Sequence, residues 1–297
     1  MLHFRILFSI LLTSTFSRLS AETVCEMSSI RSSSPSVRYH INAVRVEQEC
    51  HRELLNDLAK KLDTCLSKTG PETMPYGKSC AKPTILAQSS EIMSIVVPTY
   101  SDHPFMVACD QLSHGGGWTL FLRRTDGSED FNRDWIDYKH GFGKLQNEFF
   151  LGLDKLHAMT SAEAQELLVL LEDHGAERRY QMYDNFRIGS EKEAYTLESL
   201  GLTSGNAGDA LALHLGQKFT TRDRDNDRHG DNCAVTYSSA WWYNSCHDSH
   251  LAGNYGDNSY GKGILWATFK GHNYSLKGAQ MMIRPRRQET TSPGVAI

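Results

Sequence analysis

The stretch DRDNDRHGDNC (223–233) sets Asp223, Asp225 and Asp227 at alternate positions. Carboxylates spaced by two in a tight loop converge on one point, as a hard cation with six to eight oxygen ligands requires. The loop is not an EF-hand. Arg228 holds the sixth position, where that turn needs glycine, and Ala234 holds the twelfth, where it needs a bidentate glutamate. On these residues alone a second reading stays open, a solvated acidic loop in which Asp223, Arg224 and Arg228 pair on the surface.

The next stretch, AVTYSSAWWYNSCHDSH (234–250), is dense in aromatics and places Cys246 beside His247. A thiol next to an imidazole suggests nucleophilic catalysis, but adjacent residues rarely set a base on the neighbour's sulfur. No HExxH, GxSxG or Walker pattern appears elsewhere, so the chain is not expected to be an enzyme. Trp241 and Trp242 read as core aromatics rather than contact residues.

Both stretches need a scaffold. The chain has 297 residues, which suits a core of about 200 residues plus appendages. WTLFLRR (118–124), LLVLLE (167–172) and RYQMYDNF (179–186) read as strands, and NEFFLGLDKLHAM (147–159) has helical spacing through Phe150, Leu153 and Leu156. From residue 201 on, periodic runs are few and Gly, Asp, Asn and Trp are many, so a bound ion and a disulfide are the natural means of fixing that half. The fold class is α+β. Lys and Arg number 31 against 35 Asp and Glu, and no basic block stands out, which argues against a nucleic-acid partner held by bulk charge.

The N-terminus sets the expected compartment. Residues 1–21 read as a signal peptide, with Arg5 before an apolar run too short to span a membrane, the alternative being a signal anchor. Residues 22–36 are Ser-rich and expected to be disordered, as is the tail 288–297. Residues 37–68 lack Gly and Pro and place Ile41, Val44, Gln48, His51, Leu55, Leu58, Leu62 and Cys65 on one seam. That is a short coiled-coil stalk, or an amphipathic helix packed on its own domain. A linker (69–75) then leads to one large domain, 76–287. In an oxidising compartment the seven cysteines become disulfide candidates. The odd set Cys25, Cys50 and Cys65 near the stalk suggests bonds between chains.

Four runs then carry a resemblance. GGGWTLFLRRTDGSEDFNRDWIDYKHGFGKLQNEFFLGLDKLHAMT, YDNFRIGSEKEAYTLESLG, DRDNDRHGDNCAVTYSSAWWYNSCHDSHLAGNYG and KGHNYSLKGAQMMIRP resemble the fibrinogen C-terminal domain family, in family order over 76–287. The whole arrangement is similar to invertebrate fibrinogen-related lectins of the tachylectin and ficolin-like group. The resemblance implies an N-terminal piece bridged Cys80–Cys109, a central mixed sheet, and an irregular calcium-binding piece bridged Cys233–Cys246. It assigns Asp225 and Asp227 as side-chain ligands of Ca2+, His229 and Asp231 as carbonyl ligands, and Asp223 as the residue orienting the loop. Such a ligand set lies in the weak extracellular range, on the order of 10⁻⁴ to 10⁻³ M.

The resemblance also implies an acetyl-group pocket. Its members are a cis Ser245–Cys246 bond, His247 as support, and Tyr237 and Tyr260 as walls, with His272 where lectin relatives carry tyrosine. Asn273-Tyr274-Ser275 is a glycosylation sequon. The function so implied is a secreted, multimeric, calcium-dependent lectin of innate immunity. Its partners would be acetylated carbohydrates on microbial surfaces, and the stalk would link a homo-oligomer with no membrane span. The alternative is a signalling or adhesion ligand whose head binds a protein receptor.

Overall fold

The computed structural model describes residues 51, 55–57, 59–61, 76–81 and 92–286. The expected signal peptide, Ser-rich segment, linker and tail, and Cys25, Cys50 and Cys65, lie outside the described residues. The chain divides into two units, Met1–Thr73 and Met74–Ile297. In the first, the described residues of the expected stalk are helical, and Lys61 pairs with Asp57 at 2.6 Å one turn back.

The second unit holds strands β1 (Ile92–Ile95), β2 (Phe105–Asp110), β3 (Trp118–Arg124), β4 (Phe142–Gly143), β5 (Phe149–Phe150), β6 (Gln165–Glu172), β7 (Arg178–Ile188), β8 (Leu197–Ser199), β9 (Thr203–Gly205), β10 (Ser249–His250), β11 (Leu265–Trp266) and β12 (Gly278–Pro285). The main sheet runs β1-β2-β3-β12-β6-β7-β8, with β5 on β3 and β9 on β7, and the paired strands are antiparallel. Strands β3, β6 and β12 are nearly continuous apolar runs because both their faces are covered: Leu120, Phe121, Leu122, Leu167, Leu168, Met281 and Met282 are fully buried. The last strand among the described residues, β12, lies at the centre, and its eight-residue register with β6 spans both full lengths.

The three expected strands are all present. The helix read over 147–159 is a correction. Phe149–Phe150 form β5, paired with Arg123 and Leu122, and the helix runs only over Leu153–Ala162. Gly152 makes the break, at φ +116°, where a Cβ would lie 2.6 Å from the His140 carbonyl oxygen. Such a backbone is open to glycine and closes the preceding run as a strand.

Disulfides join Cys80 to Cys109, which ties residues 76–81 to β2, and Cys233 to Cys246. By loop entropy alone the two contribute ~3.5 and ~3 kcal/mol. Such bonds suit an oxidising compartment. Among the described residues no helix is long and apolar enough to cross a membrane.

Between β9 and β12 the regular elements shrink to two-residue strands, a 3-10 turn (Ala212–His214) and four-residue helices at Cys233–Thr236 and Ala267–Lys270. One buried side chain binds this half to the sheet. Arg124, at the end of β3, donates to the carbonyls of Leu251 (3.2 Å) and Gly253 (2.6 Å) and pairs with Glu148 at 3.4 Å. Burial pulls the Arg124 guanidinium below its ordinary pKa, and Glu148 pushes back. Burial also works against the ionised Glu148, but N–H donors from Thr125 and Glu129 and the Arg124 charge outweigh it, so its pKa falls.

Candidate functional site

The acidic loop is fixed at both ends by side chains. Asp223 Oδ1 accepts from the Trp135 N–H (2.8 Å) and the Thr221 hydroxyl (2.7 Å), which anchors the loop to the helix Trp135–His140. Asn232 caps the helix Cys233–Thr236 through the Ala234 and Val235 N–H groups and donates to the Thr221 carbonyl. Arg224 lies over the Trp135 ring at 3.9 Å, and the Arg228 N–H donates to the Asn244 carbonyl. Among the described residues neither arginine pairs with Asp223, contrary to the solvated-loop reading.

Within the loop, Asp225 accepts from the Asp227 N–H, and Asp227 accepts from the His229 N–H (2.9 Å) and the Cys233 N–H (2.9 Å). Burial raises the Asp227 pKa; the Cys233 and His229 bonds oppose it, and the Asp225 carboxylate beside it adds to the rise. Two carboxylates side by side, Asp227 half-buried and Asp225 exposed, repel each other, and a cation relieves that repulsion. The donor set is oxygen only, so the residues fit a hard divalent ion. His229 Nδ1 sits 3.1 Å from both the N–H and the carbonyl oxygen of Asp231, which binds the loop's second arm. The His229 ring also lies near the sulfurs of Cys233 and Cys246, but the disulfide leaves no thiolate there to hold a metal.

Beside the loop, the disulfide carries the chain into the aromatic stretch. The Ser245–Cys246 peptide is cis. His247 is 7% exposed and meets the Tyr237 ring edge to face at 4.6 Å. Neither of its ring nitrogens has a hydrogen-bond partner. Burial and then the neighbouring histidines His250, His214 and His272 push its pKa down to about 2; the Gly261 backbone lies close enough to the ring to oppose them but not in hydrogen-bonding geometry. His272 stacks on Tyr260 at 5.2 Å, and its Nε2 lies 3.3 Å from the His247 carbonyl oxygen. Tyr237, His247, His272 and Tyr260 thus follow one another in a row, from half-buried Tyr237 to Tyr260 at 61% exposed. Trp241 and Trp242 are buried in the core.

Several residues of this site carry no signal in the sequence. Gly261 packs so close that an added Cβ would fall 2.4 Å from Tyr237 Cε1, and its N–H donates to the His272 carbonyl. His250, fully buried, contacts the Gly261 carbonyl through Nδ1 and the Tyr243 hydroxyl through Nε2 at 2.7 Å. The neutral ring therefore donates from Nδ1 and accepts at Nε2. His214 donates from Nδ1 to the Trp242 carbonyl, and its Nε2 accepts from the N–H groups of Asp248 and Ser249. Burial lowers the pKa of His214 to about 4 and of His250 to about 3. Asn273 is exposed, while the sequon's Ser275 is buried and accepts from the Gly256 and Ile264 N–H groups.

A cleft of about 520 Å³ lies elsewhere, over β6, β7 and β12. Its cations are already matched, Arg178 and Lys277 by Glu172 and Arg179 by Glu177, so it offers less recognition chemistry than the aromatic row.

The sheet, the two bridges and the loop beside an aromatic row define a fibrinogen-like globular head. Residues 76–286 match the family of fibrinogen beta and gamma chains, C-terminal globular domain, and the chain belongs to that family. It is 46% identical to Ryncolin-4 of Cerberus rynchops over 63% of this chain and 55% of that one. It is 39% identical to tenascin of Gallus gallus over 85% of this chain, and spans only 13% of the tenascin. The fibrinogen-like globe domain of human ANGPTL2 superposes with a TM-score of 0.66 at 39% identity, covering 71% of this chain and all of that domain.

Proposed function

We propose that the protein is a secreted, calcium-dependent lectin that recognises acetyl groups on microbial carbohydrates, without enzymatic activity. One observation carries the reading: a nine-tenths-buried His247 with two unpartnered nitrogens, set between Tyr237 and His272 beside the Asp225–Asp227 loop. An apolar slot with a few polar atoms suits a methyl group attached to a carbonyl. Tyr237 and Tyr260 enclose the methyl, Ser245 and Cys246 supply backbone at the opening, and His247 orients the ligand. Ca2+ held by Asp225 and Asp227, with the carbonyls of His229 and Asp231, supplies charge balance that keeps the loop against the pocket. The stalk residues 37–68 join heads into a homo-oligomer through Cys25, Cys50 or Cys65, since linking weak heads gains ~10²–10⁴ in avidity. Asn273 carries an N-glycan at the pocket's edge.

Retention on N-acetyl-substituted resin tests this. Elution by free N-acetylglucosamine and by EDTA, with loss of retention in Tyr237→Ala and Asp225→Ala, is the expected result. Flow-through of folded, calcium-loaded protein would sink it. A second reading, a head that binds a protein receptor, is favoured by the replacement of tyrosine by His272 and by the kinship with tenascin and the ANGPTL2 globe domain. Saturable binding to one cell type, indifferent to sugar, is its signature.

A further inference from the structure

At the rim of the aromatic row stands a carboxylate that the pocket does not need for its shape. Asp248 follows His247, and its side chain is half exposed, with Oδ1 3.6 Å from His272 Nε2. Among the described residues no lysine or arginine pairs with it, and the imidazole is a counter-charge only when protonated. The backbone of Asp248 is held independently of the side chain: its N–H donates to His214, and its carbonyl accepts from Ala267 at 2.8 Å. The backbone is therefore fixed, and the carboxylate stands against His272, the ring that follows His247 in the row; the unpartnered nitrogens of His247 are the second mark of a ligand in that row.

We propose that Asp248 is a specificity-determining residue of the pocket, selecting acetylated sugars whose neighbouring substituent is neutral or carries an ammonium and rejecting those that carry a carboxylate. The inference rests on the acetyl-pocket reading above. A unit charge at the rim, several ångströms from a ligand charge and partly screened, changes affinity by about three- to tenfold in each direction. The favoured class is an amino-sugar chain that is acetylated at one unit and free at the next. The disfavoured class is the acidic acetylated sugars.

The test uses the full chain in calcium buffer with one sugar in three charge states: N-acetylmuramic acid, its methylamide and its 2-aminoethylamide, with N-acetylglucosamine as reference. Affinities are expected in the order aminoethylamide, methylamide, acid, with about fivefold between neighbours. Asp248→Asn, which keeps the side-chain shape, is expected to bring the three together while leaving N-acetylglucosamine within twofold. In the unsubstituted protein, raising salt from about 20 to about 500 mM is expected to shrink the same ratios, a check independent of how the variant folds. Protein that binds N-acetylglucosamine but takes the three derivatives equally, or not at all, overturns the role of Asp248 alone. So does a charge order that survives both Asp248→Asn and high salt. Failure to bind N-acetylglucosamine overturns this inference together with the pocket it rests on.

Discussion

The sheet and the loop-rich half reach a unique structure by different means. In the sheet, backbone groups pair with backbone groups along β3, β12 and β6, and the side chains only have to fill space. From residue 206 to 277 the backbone turns to side chains: Asn226 to Phe219, Asn232 to Thr221, His214 to residues 248 and 249, Ser275 to Gly256 and Ile264. Among the described residues the three buried histidines, His214, His247 and His250, all lie in this half. A core that fills space tolerates volume-conserving exchange, whereas a polar lattice fails when one member is left without its partner.

The largest effect is expected at the joint between the two. Arg124→Met keeps volume but leaves Glu148 buried without its cation and frees the carbonyls of Leu251 and Gly253. The expected cost is about 3–5 kcal/mol, or roughly 10 °C in the melting temperature. Hydrogen exchange should rise first near 251–253 and only later in β6 and β12. Uniform exposure of both halves would break the comparison.

Acid should separate the halves next. A histidine held neutral by burial binds no proton in the folded state, while the unfolded chain protonates it below about pH 6.5. The unfolded state then holds more protons, so stability is full above that pH and falls as pH drops toward the folded values of about 4, 3 and 2. Three such groups cost ~4 kcal/mol together by pH 5.5. Urea denaturation at pH 7.5 and 5.5, in calcium-free buffer, measures it. Equal stability at the two pH values would mean that the rings protonate in place.

What was legible in the sequence follows the same division. Strands buried on both faces announce themselves as apolar runs, so β3 and β6 stand out in the chain, whereas β7 shows as an alternation of aromatic and polar residues. Gly152 hides a strand inside a helix-like run, because Phe150, Leu153 and Leu156 keep the spacing while one left-handed residue breaks it. In the loop half, the row Tyr237, His247, Tyr260 and His272 comes from resemblance to a family, not from any period. His250, Gly261 and Asp248 were not legible at all: their roles depend on which segments meet, and residues 237, 247, 261 and 272 come together only in the folded chain. Arg124 reads as an ordinary strand-end cation until its carbonyl partners, more than a hundred residues away, are known.

The smallest effect is also the sharpest probe of the pocket. Gly261 and Gly256 share nearly the same left-handed backbone, φ +76° and +72°, but a Cβ at Gly261 meets Tyr237 Cε1 at 2.4 Å whereas one at Gly256 meets nothing within 4 Å. Gly256→Ala therefore measures the conformational penalty alone, about 1 kcal/mol. Gly261→Ala adds the collision, for a total of ~2–4 kcal/mol, and must push the Tyr237 ring off His247. Stability should differ modestly between the two variants, while retention on N-acetyl resin should fall about tenfold for Gly261→Ala and hold for Gly256→Ala. Equal retention would show that the Tyr237–His247 contact is packing rather than a binding surface, and would return the aromatic row to the core.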